Sequence, residues 1–238
     1  MTKTSKIFYL AAAGVVFIAV IIVFLSNRGQ EKQVAENYQP IEGAKASSYE
    51  PASGVLEINK DDNIIGSIKA PLKIFVYEDY ASEYSADLAE TLSKIASESD
   101  DKLVVIARPF VLSGSSFSRE AALAVLCAKD VNKWEEMRAL LLASAKEGGA
   151  KTDSFRAQAA TLELNEEVFN TCLTNEEKSV KLEAVMNEAE KSLILGAPTM
   201  FVGDEMILGA RPYNDFIDSN GDVIEGLKAV VERKLKGI

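Results

Sequence analysis

The order of three segments in the first half of the chain constrains the fold most. LKIFVY at 72–77 and LVVIA at 103–107 are short apolar runs, which is typical of buried strands. Between them, residues 82–98 carry apolar side chains at helical spacing, namely Leu88, Leu92 and Ile95. Strand, helix and strand in this order predict a right-handed βαβ unit with two parallel strands.

A helical block and a hairpin follow this unit. The helical stretches are predicted at 117–130, 132–147, 153–163, 165–173 and 176–194. TMFVG at 199–203 and EMIL at 205–208 are predicted as two strands joined by a tight turn at Gly203–Asp204. A last amphipathic helix is predicted at 222–236. The sequence therefore predicts an α/β domain ordered as βαβ, a helical insertion and ββα.

The N-terminal segment is a different kind of sequence. Residues 7–25 contain 19 positions without a charge, and a helix of that length spans about 28 Å, close to the thickness of a bilayer core. Lys3 and Lys6 precede the run, so the positive-inside rule places residues 1–6 in the cytoplasm and the rest of the chain outside. We therefore expect a single-pass signal anchor in the cell membrane, with a periplasmic or extracellular domain.

Two other interpretations of this run stay open, namely a cleaved signal peptide and a buried helix of a soluble domain. A signal peptide usually has a shorter apolar core that a small-residue cleavage site follows, and this run is longer than that. Residues 26–54 are polar and lack a clear period, which predicts a linker between the anchor and a domain at 55–238.

Composition excludes several classes of function. The chain has 26 Lys and Arg against 36 Asp and Glu, a formal net charge of −10, which argues against nucleic-acid binding. It contains no histidine, so neither a Ser-His-Asp nor a Cys-His nucleophile can form within it. Two cysteines cannot make a four-cysteine zinc site. We expect no metal and no cofactor.

Four separated motifs resemble the DsbA-like proteins. In 61–88 the positions of Gly66, Ala70, Pro71, Asp79 and Tyr80 fall in that family's register, and Ser82-Glu83-Tyr84-Ser85 follows where the family has Cys-Pro-aromatic-Cys. Residues 119–144 and 168–173 resemble the family's helical insert, and 196–204 resembles its cis-proline loop, with Pro198 at the cis position. The resemblance runs from about Glu57 to Leu235 and implies a thioredoxin-like fold with a helical insertion.

The same resemblance implies that this chain lacks the two cysteines with which the family performs its reaction. Thiol–disulfide exchange needs a thiolate, which the family places at a helix N-terminus where the dipole lowers its pKa. Ser82 and Ser85 occupy both cysteine positions. Without a base, a serine hydroxyl stays protonated and forms no disulfide. The simplest role for these serines is to accept hydrogen bonds from free N–H groups at the start of the helix.

Cys127 and Cys172 have three interpretations: a structural disulfide, two buried free thiols, or a relocated redox pair. Because the domain is expected outside the cytoplasm, where disulfides persist, the disulfide is favoured. Ala197 and Pro198, facing Ser82 to Ser85, either keep a groove that binds an extended polypeptide or only shape the turn into the next strand.

Two functions are consistent with these observations. The first is a redox-inactive binding module, not an enzyme, which holds an extended polypeptide or an extracytoplasmic protein partner. The second is a thiol–disulfide oxidoreductase acting through Cys127 and Cys172 or through a partner's thiols. The missing cysteine pair favours the first.

Overall fold

The computed structural model describes residues 56–148 and 154–237. The predicted anchor at 7–25 and linker at 26–54 lie outside the described residues. Within the part of the chain that is described, no helix is both long and apolar enough to cross a membrane.

The described strands are β1 (Asn63–Gly66), β2 (Leu72–Glu78), β3 (Leu103–Pro109), β4 (Thr199–Val202), β5 (Glu205–Leu208), β6 (Phe216–Ile217) and β7 (Val223–Ile224). The described helices, numbered here in chain order, are α1 (Glu83–Glu98), α2 (Ser116–Lys129), α3 (Trp134–Lys146), α4 (Ser154–Thr161), α5 (Glu166–Leu173), α6 (Glu176–Lys191) and α7 (Leu227–Lys236).

The central sheet has the order β1-β3-β2-β4-β5. Strands β2 and β3 are parallel, whereas β1 pairs antiparallel with β3, and β4 pairs antiparallel with both β2 and β5. All seven residues of β3 and all but Lys73 of β2 are buried, as expected for strands covered on both faces. The predicted βαβ unit and ββα unit are therefore confirmed as parts of one sheet.

Helices cover both faces of this sheet. Helices α1 and α7 pack on one face, where Leu88 and Leu92 of α1 join Leu227 and Val230 of α7 in a common core with β2 and β3. Helix α6 packs on the other face. Helices α2 to α6 share a further core, which includes Tyr80 and so joins the helical insertion to the start of α1.

The prediction for the C-terminal region was wrong at its start. Residues 223–224 form strand β7, which pairs with β6, and the last helix begins at Leu227 instead of 222. Gly226 explains the boundary: a Cβ there would lie 2.2 Å from the backbone carbon of Asn214, so only glycine fits. Its N–H donates to Asp215 Oδ1 at 2.7 Å, which fixes the chain before the helix. Strands β1, β6 and β7 were not predicted.

Candidate functional site

The start of α1 is the centre of the candidate site. Ser82 is the N-cap residue with extended backbone angles, φ −102° and ψ 127°, and its carbonyl accepts the N–H of Ala86 at 3.1 Å. Its side chain makes no capping hydrogen bond, so the expectation that Ser82 caps the helix through its hydroxyl was wrong. Ser82 is half-buried, and Glu83 and Tyr84, which follow it, are exposed.

Ser85 is fully buried and has a different partner from the one expected. Its Oγ accepts the backbone N–H of Asp79 at 3.1 Å, which lies before the helix rather than in its first turn. Asp79 Oδ1 in turn accepts the N–H of Ala81 at 2.9 Å. Ser85 therefore holds the connection between β2 and α1 in place, while Ser82 is the more exposed of the two serines.

Asp79 is the acidic residue of this connection, and it is buried. Burial raises the pKa of its carboxyl, and the N–H of Ala81 and the hydroxyl of Ser118 lower it only in part. A buried carboxylate without a cation is unfavourable in a medium of low dielectric constant, which is the physical cause of the shift.

The loop before β4 forms the second half of the site. The peptide bond between Ala197 and Pro198 is cis. The Pro198 carbonyl accepts the N–H of Gly209 at 2.9 Å, and Thr199 Oγ1 donates to the Gly196 carbonyl at 2.7 Å. No described residue forms a hydrogen bond with the peptide N–H or carbonyl of Ala197, which is only half-buried.

The sheet register brings these two halves together. Tyr77 near the end of β2 pairs with Thr199 at the start of β4, so the residues that follow β2 and those that precede β4 lie at the same edge of the sheet. Each half carries one exposed apolar side chain, and the two are called the apolar rim: Tyr84 in the first turn of α1 is 60% exposed, and Leu195, two residues before Ala197, is 87% exposed. The arrangement offers unpaired peptide groups beside an apolar rim, and it offers no thiol at the start of α1.

The two cysteines lie elsewhere, in the helical insertion. Cys127 in α2 and Cys172 in α5 form a disulfide with an S–S distance of 2.03 Å. Cys127 is buried and Cys172 is half-buried, and neither is at the start of a helix. The disulfide therefore lies in the core that the insertion shares with Tyr80 and Ala86, and it places no thiol at position 82 or 85.

Sequence reasoning missed two buried ion pairs near this edge of the sheet. Glu78, the last residue of β2, forms a bidentate ion pair with Arg138 of α3, with N–O distances of 2.5 and 2.8 Å. Arg108 of β3 is 1% exposed and donates to both carboxylate oxygens of Asp62. A charged residue within or directly after an apolar strand was the available signal, because such a residue needs a buried partner.

The fold and the sequence together define the class of this protein. Residues 58–218, more than half of the chain, match the family model described as Thioredoxin. The chain belongs to the thioredoxin family, and its fold is of the DsbA-like kind that the motifs indicated. Comparison with curated proteins gave no significant match.

Solved structures with this fold come from several bacteria. BdbD from Bacillus subtilis, in its oxidised form, is 19% identical with a TM-score of 0.65, and the match covers 79% of this chain and 100% of BdbD. A thioredoxin-like oxidoreductase from Silicibacter pomeroyi DSS-3 is 20% identical with a TM-score of 0.58, covering 75% and 94%. A periplasmic thioredoxin-like protein from Salmonella enterica serovar Typhimurium is 24% identical with a TM-score of 0.55, covering 76% and 94%. At these identities the likeness shows the fold alone.

Proposed function

We propose that this protein is a membrane-tethered module that binds extended segments of extracytoplasmic polypeptides and performs no thiol–disulfide exchange of its own. One observation carries the proposal: the start of α1 has serines where the related enzymes have their cysteines, while the neighbouring peptide groups of Ala197 stay unpaired within the described structure. On this proposal the fold keeps a binding surface at a place where the exchange chemistry is absent.

The loss of chemistry follows from the bond that exchange must form. A thiolate attacks one sulfur of a disulfide and expels the other, and the new bond joins two sulfurs. The hydroxyl of Ser82 cannot supply a sulfur, and the chain has no histidine to activate it as a nucleophile. Glu83 is next to Ser82, and its negative charge disfavours an alkoxide there.

Binding of a polypeptide is inferred from the unpaired peptide groups of Ala197 and from the apolar rim. An extended polypeptide can add as a strand where a backbone N–H and carbonyl lack partners, because main-chain hydrogen bonds give affinity without reading side chains. Ala197 supplies both groups, and Leu195 and Tyr84 supply apolar contacts beside it. Glu83, Asp87 and Glu90 are exposed on α1, and one lysine, Lys146, pairs with the last two, so the acidic side chains outnumber the basic one and a neutral or basic polypeptide is favoured over an acidic one.

Binding is tested with fluorescently labelled insulin B chain whose cysteines are alkylated, added to the full chain in lipid nanodiscs. We expect saturable binding by fluorescence anisotropy, and Leu195→Asp should weaken it by about tenfold because it places a charge at the apolar rim. Ile217→Asp is the matched control, since Ile217 is 69% exposed on the separate β6–β7 sheet. Equal affinities of wild type and Leu195→Asp would reject the site.

Redox inactivity is tested by insulin reduction and by oxidation of a reduced substrate. We expect the wild type to give background rates, and the double variant Ser82→Cys, Ser85→Cys to form an internal disulfide and to gain exchange activity. The half-buried residue 82 would carry the attacking thiol, because residue 85 is fully buried. An active wild type would instead favour the alternative, an oxidoreductase that uses Cys127 and Cys172.

The tether and the location are part of the same proposal. They rest on the 19-residue apolar run at 7–25, on Lys3 and Lys6 before it, and on the description of the Salmonella neighbour as periplasmic. Protease added to intact spheroplasts should degrade the domain while the N-terminal segment stays in the membrane fraction. Full protection of the domain, or a mature protein that begins after residue 25, would contradict the anchor.

A further inference from the structure

A cavity of about 340 Å³ lies between α2, α6 and the segment that leads into β1. Its volume is in the range of small-molecule sites. Lys129 at the end of α2 lines it together with Lys178 and Lys181 in the first half of α6. None of the residues 82–85, 197 or 198 lines this cavity, so it is distinct from the candidate polypeptide site.

Arg108 also lines the cavity, and each of its N–H donors already has an acceptor. Its guanidinium donates to both oxygens of Asp62, to Glu188, to the Tyr77 hydroxyl at 3.1 Å and to the Glu57 carbonyl at 2.7 Å. This fixed network anchors the segment before β1 on the sheet and forms a rigid wall. Any charge available to a ligand must therefore come from the lysines.

The lysines differ in how their charges are compensated. Lys178 forms an ion pair with Asp130 at 2.5 Å, and Lys181 contacts the exposed carboxylates of Glu177 at 3.0 Å and Asp61 at 3.7 Å. Lys129 donates only to backbone carbonyls, those of residues 61 and 62, at 2.7 and 2.8 Å. No carboxylate of a described residue lies within ion-pair distance of its ammonium group, which keeps a third N–H donor for another acceptor.

Charges of both signs line the cavity: five basic residues (Lys60, Arg108, Lys129, Lys178 and Lys181) face four acidic ones (Asp61, Asp62, Asp130 and Glu188), an excess of one cation. Burial lowers the pKa of Lys129; Asp61 and Asp62 oppose this effect, and the smaller effects of Lys181 and Lys178 add to it. An oxyanion in the cavity would accept the remaining donor of Lys129 and pair with an ammonium group that only carbonyls contact, and hydrogen bonds between charged partners are the strong ones.

The rest of the lining decides what kind of anion fits. Leu126 from α2, Val185 and Ala184 from α6, and Ala107 from β3 contribute apolar surface to the same cavity. A bare inorganic ion would leave this surface in contact with water. We propose that the cavity binds a small organic acid, with its carboxylate or phosphate group held by Lys129 and Lys181 and its short apolar body against α2 and α6.

Hexanoate and hexanamide are the probes, compared by isothermal titration calorimetry on the full chain in lipid nanodiscs. Empty nanodiscs correct for partition into lipid. Hexanoate should bind saturably, hexanamide about tenfold more weakly, and inorganic phosphate more weakly than hexylphosphate. Lys129→Met and Lys181→Met should each weaken hexanoate binding by about tenfold. Lys69→Met is the matched control, because Lys69 is an exposed lysine that does not line the cavity.

Lys129→Met removes two hydrogen bonds to the segment before β1 and could disturb that segment. Lys181→Met is the second variant because it removes only contacts with exposed carboxylates. The proposal can therefore be tested even if Lys129→Met does not fold. Far-UV circular dichroism of each variant checks the fold. Absence of saturable hexanoate binding, equal affinity for hexanoate and hexanamide, or wild-type affinity in both folded cavity variants would overturn the proposal. Inorganic phosphate that binds as tightly as hexylphosphate would overturn the assignment to an organic acid. These results are independent of whether the polypeptide site exists.

Discussion

The buried ion pair between Glu78 and Arg138 should be one of the most sensitive points of the fold. It joins the end of β2 to α3, and so connects the central sheet with the helical insertion beside the candidate site. The side chains are 1% and 10% exposed, and two parallel N–H···O bonds of 2.5 and 2.8 Å hold them together. Little water can reach the Glu78 carboxylate if Arg138 is removed.

Arg138→Met leaves the Glu78 carboxylate buried without a cation. Breaking a buried pair in this way costs about 3–5 kcal/mol, because the desolvation of the remaining charge is no longer offset. Replacing both partners by apolar residues of similar size is often neutral, so Glu78→Leu with Arg138→Met should cost less than Arg138→Met alone. The sign of this difference separates the desolvation of a stranded charge from a simple loss of packing.

The assay is urea unfolding at pH 7, followed by far-UV circular dichroism and by the fluorescence of Trp134, the only tryptophan of the chain, at the start of α3. Glu136→Gln, which breaks the exposed pair with Lys133 at the N-cap of the same helix, is the control and should leave the unfolding midpoint unchanged. A loss below about 1 kcal/mol for Arg138→Met, or a double variant less stable than the single one, would refute the reasoning.

Two further predictions concern stability. The disulfide between Cys127 and Cys172 closes a loop of 45 residues, so Cys127→Ala should lower the free energy of unfolding by about 4 kcal/mol in the chain-entropy model; unchanged unfolding of the wild type after verified reduction would contradict this. Burial raises the pKa of Asp79 above 3.8, so its carboxyl favours the folded state most at acid pH, and that contribution is lost as pH rises through the raised value. Asp79→Asn, compared with wild type by urea unfolding from about pH 4 to 7, should therefore gain relative stability with increasing pH, and a constant difference would contradict the shift.

Local sequence patterns were sufficient to predict the strands and helices whose burial is recorded within one short stretch of the chain. The apolar run at 72–77 and the spacing of Leu88, Leu92 and Ile95 predicted β2 and α1 to within one residue, because burial on a defined face imposes a period on the sequence. The same holds for β4 and β5 around Gly203, whose φ of +64° lies in the left-handed region. Motif register also identified the positions of Ser82, Ser85 and the cis Pro198.

Contacts between distant residues were decided only by the tertiary structure. Strand β1 has four residues and a weak pattern of its own, and it exists because Asn63 to Gly66 pair with β3 some forty positions later. The ion pair of Glu78 with Arg138 joins residues 60 apart, and Lys129 reaches the carbonyls of residues 61 and 62 across 68 and 67 positions. Gly226 must be glycine because another part of the backbone passes beside it. The sequence by itself determined the periodic elements, the family register and the missing thiols, whereas the partners of buried charges and the cavity among the lysines depend on packing that no local pattern records.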